Sequence, residues 1–268
     1  MYPVLFEIGS LKIYAFGTFI VLAFLAASFY VRRQAVKSLG LDGERVFNLC
    51  FALLFIGLLG ARALYVMVHY AEHVQEPMSA FKIWKGGLVL YGGMLLGLLW
   101  LGWYLPRHPD LRGWALADRL SIGTGLAIFV GRWASFLSGE NYGKPAGDLP
   151  WGVKFPPGPD TQVPSPLREV ALHPTQLYHS LHGLALFLIL ILIQKKHPNP
   201  GRITGLFLMF YAVGRGVIEI WRGDDEARGM IIDGVLSTSQ LISIPVFFIG
   251  LAIFLIRRPA ASSGQASQ

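Results

Sequence analysis

The sequence predicts an all-α polytopic membrane protein with seven transmembrane helices, its N-terminus outside and its C-terminus cytoplasmic. Three observations carry this reading. The chain of 268 residues is 53% hydrophobic and only 15% charged, against about 25% charged for an average soluble domain. Its charges are clustered, leaving seven apolar runs near the roughly 20 residues that one helix needs to cross a bilayer core. In lipid, a single run of that length satisfies its main-chain polar groups only as a helix. Composition excludes disorder, because disordered chains are poor in apolar residues and rich in charge. With Cys50 the only cysteine, a disulfide scaffold is excluded as well.

Taken in order, the first run is 13–31, without charge, and the second is 46–69, with Arg62. The third, 86–105, is uncharged, and the fourth, 120–139, holds Arg132. The fifth, 175–194, is uncharged, the sixth, 203–221, holds Arg215 and Glu219, and the seventh, 234–256, is uncharged. Pro106, Pro174 and Pro198 punctuate the ends, and Trp84, Trp103, Trp114 and Trp221 fall near expected interfaces.

Basic residues set the orientation. Arg32, Arg33, Lys37 and Arg45 follow the first run, Arg107, Arg112 and Arg119 the third, Lys195, Lys196 and Arg202 the fifth, and Arg257 and Arg258 the last. Against these stand only Asp42, Glu44, Asp110 and Asp118. The opposite side holds more acids than bases, including the run Asp224, Asp225, Glu226. The net charge of +7 is therefore mostly a topology signal and does not argue for nucleic acid. No basic stretch precedes the first run, so it reads as a span and not as a signal peptide. The expectation is one seven-helix catalytic domain over 1–258, with an external loop at 139–174 and a disordered tail at 259–268. A loop of that length is functional or disordered in most proteins.

Charges inside a membrane cost at least about 2.5–3.5 kcal/mol each and mark candidate sites. Arg62, Arg132 and Arg215 each stand six or seven residues from the outer end of their run, which places all three roughly 9–11 Å below the outer boundary. Guanidinium binds phosphate as a bidentate fork, so the layer reads as an anion site for a phospholipid headgroup. The structural alternative is interhelical glue, with Glu219 neutralising Arg215 at i, i+4 and Arg222 one turn further on. The fifth helix opens outside with HPTQLY, where Pro174 suits the first turn and free N–H groups favour anions. His173 and His179 flank that turn. Gly86–Gly87 and Gly92–Gly93 bracket Tyr91, and helix packing alone accounts for such glycines.

Residues 131–143 read GRWASFLSGENYG, residues 173–178 HPTQLY and residues 211–222 YAVGRGVIEIWR. Spaced along seven spans, these stretches resemble the prolipoprotein diacylglyceryl transferases. In that family's pattern GR-x-GNF-x-NGE-x-x-G, the residues Gly131, Arg132, Phe136, Gly139, Glu140 and Gly143 match. Ala134, Ser135 and Ser138 replace a glycine and two asparagines, Tyr91 stands where the family often has histidine, and Phe16 where it often has tyrosine.

The resemblance implies transfer of the diacylglyceryl group of phosphatidylglycerol to the lipobox cysteine of a preprolipoprotein signal peptide. The setting would be the bacterial inner membrane, with the active site facing the outer leaflet of the lipid bilayer. It implies headgroup contacts from Arg132 and Arg215, with Arg62, Ser135, Gly143, Glu219 and Arg222 as further phosphatidylglycerol-binding candidates. Tyr91, Glu140 and His173 are the candidate bases, and neither a metal nor a cofactor is called for. The alternatives are a transporter or channel for an anionic or lipid substrate, a scaffold, or a family member that has lost the reaction. A retinal protein is excluded, because no span contains the lysine its Schiff base needs.

Overall fold

The computed structural model describes residues 3–9, 11–70, 77–81, 87–155, 163–195, 199–224, 229–232 and 236–257. The expected tail at 259–268, the interfacial Trp84, Pro198, the run starts Gly86 and Gly234, and Asp225 and Glu226 of the acidic run lie outside them, as do Lys196 and Arg258.

The described residues are mostly helical, with two small hairpins among them. Strands β1 (Val4–Ile8) and β2 (Leu11–Tyr14) form the first, so the predicted first run loses its opening residues to a strand. Helix α1 (Ala15–Gln34) follows and runs on through a wider turn at Ala35–Leu39. Next come α2 (Gly43–Val68), α3 (Leu90–Tyr104) and α4 (Gly113–Ser138). Helices α5 (Thr175–Gln194) and α6 (Arg202–Ile218) lead to a short 3-10 turn, Glu219–Trp221. The second hairpin, β3 (Met230–Ile232) with β4 (Leu236–Ser237), leads into α7 (Thr238–Ile256).

Six of these helices are long and apolar enough to cross a membrane. The predicted third span is the exception. Gly87 takes a left-handed φ of 78° and Val89 is extended, so α3 starts only at Leu90. Its 15 residues span about 22 Å, short of the roughly 30 Å of a hydrocarbon core. Large apolar side chains such as Leu95, Leu98 and Leu99 on α3 and Phe248 and Ile249 on α7 are exposed, which suits a surface facing lipid.

Two compact units divide the chain, one of Val31–Leu116 and one of Met1–Tyr30 with Ala117–Gln268. In the first, α2 and α3 cross where Gly60 and Gly92 face each other so closely that a Cβ on either would overlap the other's carbonyl oxygen. Of the glycines that bracket Tyr91, Gly87, Gly92 and Gly93 pack closely against α2, and Gly86 lies outside the described residues. Gly92→Ala is expected to destabilise the pair by about 1–3 kcal/mol, the usual penalty for overpacking. Thermal unfolding in detergent checks this, and an unchanged midpoint would remove the close approach as a cause of stability.

In the second unit, glycine pairs again let helices meet, Gly125 with Gly183 between α4 and α5 and Gly205 with Gly250 between α6 and α7. Ile122, Leu186, Leu190, Ile203 and Phe207 form its buried core. Asp118, expected in a loop, lies within α4 and caps α6. Its carboxylate accepts from the Gly201 and Thr204 N–H groups and the Thr204 hydroxyl, each at 2.8 Å, satisfying orphan donors of a helix N-terminus. At α7, Ser237 and Gln240 form a reciprocal capping box.

The long loop at 139–174 is ordered over its described residues. Phe155, Val163 and Leu172 are fully buried in a small core of their own, with Tyr142, Val153 and Leu167 packed on it. Main-chain bonds stitch the loop to itself and to the end of α6. Val153 and Leu172 exchange bonds at 2.9 Å, Lys144 N–H donates to the Trp221 carbonyl at 2.8 Å, and Gly223 N–H donates to the Tyr142 carbonyl at 3.1 Å.

Candidate functional site

Helix α4 ends at Ser138, and Gly139 takes a φ of 77°. The Glu140 N–H then bonds back to the Ser135 carbonyl at 3.0 Å, closing the helix in the manner that a left-handed C′ glycine allows. This turn fixes the three residues that follow. Asn141, itself at a φ of 54°, donates to the buried Ser135 hydroxyl at 3.4 Å and accepts at its carbonyl from Thr175 Oγ1 at 2.6 Å. Gln176 donates to the Glu140 carbonyl at 2.6 Å. Gly143 lies against the main chain of His173 and Trp221, where any Cβ would overlap the His173 carbonyl. Gly143 is thus demanded by packing: the strand-like bridge Gly143–Arg222 forms only without a side chain there.

Three arginines of this unit gather behind the turn. Arg215 donates to Glu219, to the Ser239 hydroxyl of α7 at 2.6 Å, and to His179 Nε2 of α5 at 3.3 Å. Because arginine only donates, Nε2 of His179 is the bare nitrogen. Arg222 donates to both carboxylate oxygens of Asp224 and to the Asn141 side-chain oxygen at 3.1 Å. It also stands 3.7 Å from Glu219. Glu219 is fully buried and serves both arginines. Arg132 differs. It is half-buried and feels the charges of Arg215, Arg222 and Glu219, yet among the described residues no side chain or carbonyl accepts a hydrogen bond from it. A guanidinium in that position offers its fork to something else.

Glu140 stands half-buried beside this group. Burial pushes its carboxyl above the ordinary range, and Arg132 draws it part of the way back. A raised acid holds its proton more tightly folded than unfolded. The ionised form therefore works against the fold above the ordinary carboxylate range, and the penalty is relieved as pH falls through the raised value. Glu140→Gln is expected to raise the thermal midpoint at neutral pH, by a margin that shrinks toward about pH 4. An equal gain at both pH values would exclude the buried charge as its cause.

Of the residues singled out in the sequence, Arg132, Arg215, Glu219, Arg222, Ser135, Glu140 and Gly143 are brought together. His173 is set against Gly143, with Nδ1 3.1 Å from the Tyr178 hydroxyl. Arg62 and Tyr91 belong to the other unit. Arg62 has an occupation there that its depth alone does not reveal. Its three nitrogens donate to the carbonyls of Ala80, Gly87 and Ser79 at 2.7, 2.8 and 2.6 Å, which anchors the segments before α3. Tyr91 sits half-buried in the first turn of α3. Asn141, Gln176, Ser239 and the pairing role of Asp224 escaped the sequence reading. Asn141 and Gln176 do lie inside the stretches 131–143 and 173–178 that carry the resemblance.

Fold and site together define a polytopic membrane protein that holds a cluster of arginines, one without an internal acceptor among the described residues, at one end of its helices. The sequence comparisons make this narrower. The family profile described as prolipoprotein diacylglyceryl transferase matches residues 3–256, and the chain belongs to that family. Proteins named phosphatidylglycerol–prolipoprotein diacylglyceryl transferase are similar to it over nearly their whole length. The one from Geobacter sulfurreducens is 34% identical over 96% of both chains. The one from Clostridium tetani is 34% identical over 96% of this chain and 98% of its own. The one from Legionella pneumophila strain Corby is 31% identical over 96% and 97%.

Proposed function

We propose that this protein transfers the diacylglyceryl group of phosphatidylglycerol to the lipobox cysteine thiol of a preprolipoprotein, forming a thioether and releasing glycerol 1-phosphate. The observation that carries the site assignment is Arg132, a half-buried guanidinium whose neighbours Arg215 and Arg222 are held by acids while it has no acceptor among the described residues.

The sulfur attacks the carbon of the diacylglyceryl group that bears the phosphate. A C–S bond forms as the C–O bond breaks, and the electron pair leaves with the phosphate oxygen. Negative charge grows on that oxygen, and preorganised donors in a site that excludes water stabilise it. Arg132 supplies the fork to the phosphate. Arg215 and Arg222, fixed by Glu219, Asp224, Ser239 and Asn141, supply a rigid positive background. Thiolate, not thiol, is the nucleophile, so a base must take its proton. Glu140, with a raised pKa and Arg132 nearby, is placed for this better than His173, whose Nδ1 is engaged by Tyr178.

The same reading sets the N-terminus and the loop at 139–174 outside the inner membrane, with the short α3, lengthened by the 3-10 turn Leu105–Arg107, as the seventh crossing of one catalytic domain. Membership of the family and the gathering of charge at one end of the helices weigh against a transporter or channel. Complementation of a strain lacking this transferase, scored by lipid labelling of a lipoprotein, tests the proposal. Absence of label from a membrane-inserted protein would refute it.

A further inference from the structure

Beside the arginine cluster lies an open cavity of about 390 Å³, lined by Leu149, Trp151, His173, Tyr178, Ile218 and Trp221. Its volume falls within the range of about 300–1,000 Å³ typical of ligand pockets, and the mechanism above makes no use of it. Three rings form one wall. His173, Tyr178 and Trp221 stand with centroids 6.2 to 6.4 Å apart. The wall is fixed by its own hydrogen bonds: Trp151 Nε1–H donates to the Tyr178 oxygen at 3.0 Å, and Tyr178 lies 3.1 Å from His173 Nδ1. The hydroxyl that accepts from Trp151 either gives its own proton to Nδ1 or accepts one from it, according to the imidazole tautomer. In the tautomer with the Tyr178 proton on Nδ1, the imidazole carries its hydrogen on Nε2, a donor for which no acceptor is found among the described residues.

Position decides what such a pocket takes. Leu149 and Trp151 belong to the loop beyond the end of α4, His173 precedes α5, and Trp221 ends the turn after α6. The pocket therefore caps the helices instead of running along them, which is where acyl chains would lie. Aromatic faces combined with a single N–H donor suit an extended polypeptide, which offers an apolar side chain and a main-chain carbonyl together. A hydrocarbon chain has no use for the donor. Ile218 follows Arg215 by one helical turn, about 5 Å, so the pocket adjoins the phosphate site. An extended chain advances about 3.3–3.6 Å per residue.

We propose that this pocket receives an apolar side chain of the acceptor polypeptide, within three residues of the reacting cysteine, with His173 Nε2–H donating to a carbonyl of the same strand. The proposal rests on the transferase reading for the identity of the polypeptide. The probe is a fluorescent synthetic prolipoprotein signal peptide with its cysteine replaced by serine, bound to the detergent-purified full chain. Replacing by serine, one at a time, the apolar residues next to the cysteine should weaken binding about tenfold at one position, the scale of a buried anchor. In Trp151→Ala and Trp221→Ala the parent peptide should bind about tenfold more weakly, and that position should no longer matter.

KM for phosphatidylglycerol should stay within about twofold in Trp151→Ala. If KM for the lipid rises instead, the pocket belongs to the lipid and the proposal is wrong. It is equally wrong if the wild type binds every peptide alike. Peptide variants on the wild-type protein keep the test independent of how the tryptophan variants fold. Loss of transfer in the wild type with the binding pattern intact would overturn the transferase reading and leave the pocket standing.

Discussion

Arg132→Ala is expected to lower diacylglyceryl transfer by about a hundredfold or more, the scale seen when one preorganised donor is removed from a developing anion. It should do so without lowering the thermal midpoint. The two halves of this expectation have one origin. Among the described residues Arg132 makes no hydrogen bond, so its removal strands no hydrogen-bond partner; it takes away a positive charge that already faces Arg215 and Arg222, and loses in exchange only the attraction it exerts on Glu140 and Glu219. Relief of a half-buried, poorly compensated charge is neutral or favourable to stability. Arg132→Lys should recover only part of the rate, because an ammonium is a point charge and not a fork. The measurements are a thioether-forming assay with labelled phosphatidylglycerol and thermal unfolding of the same preparation. Near-normal transfer by Arg132→Ala would sink the assignment.

Glu219→Ala is expected to act in the opposite sense on stability. Glu219 is fully buried, is hydrogen-bonded to Arg215 and stands against Arg222. Removing it leaves two buried guanidiniums without their shared anion, a change that costs about 3–5 kcal/mol. The thermal midpoint should fall steeply. Glu219→Gln, which keeps the shape and loses the charge, should fall between the two. A midpoint equal to that of wild type would show that Asp224, Ser239 and Asn141 suffice to hold the arginines. The contrast is diagnostic: of two charges close in space, one is held for the ligand and the other for the fold.

The helices were legible because uncharged runs of bilayer length have few other uses, and α5 begins and ends where the sequence predicts. Failures fell where the information is not local. The first run is predicted from residue 13, and the pairing of Val4–Ile8 with Leu11–Tyr14 depends on a register that composition does not contain. The third run was predicted from Gly86, but Gly87 and Val89 delay the helix to Leu90. Hydropathy ignores backbone conformation.

The site was half legible. Depth along a helix put Arg62, Arg132 and Arg215 in one layer, but depth says nothing of partners. Arg62 meets carbonyls up to 25 residues along the chain, and Arg222 meets Asn141 across 81 residues. Nor did the Pro- and Gly-rich loop show any periodicity from which its small core could be inferred. Phe155, Val163 and Leu172 are buried by a fold of the loop on itself.

The pairing of residues 142–144 with 221–223 has a consequence for the order of synthesis. Contacts between distant parts of a chain close late, after the loop between them has been drawn in. When α4 has entered the membrane, the Lys144 N–H and the Tyr142 carbonyl still lack their partners, which have not left the ribosome. Five helices can be in place before residues 142–144 have the end of α6 to knit to. Insertion and competence are thereby separated in time, and a nascent chain stopped short of Arg222 would present membrane helices without the finished arginine cluster. A half-made copy would have no means of cleaving the lipid in which it sits.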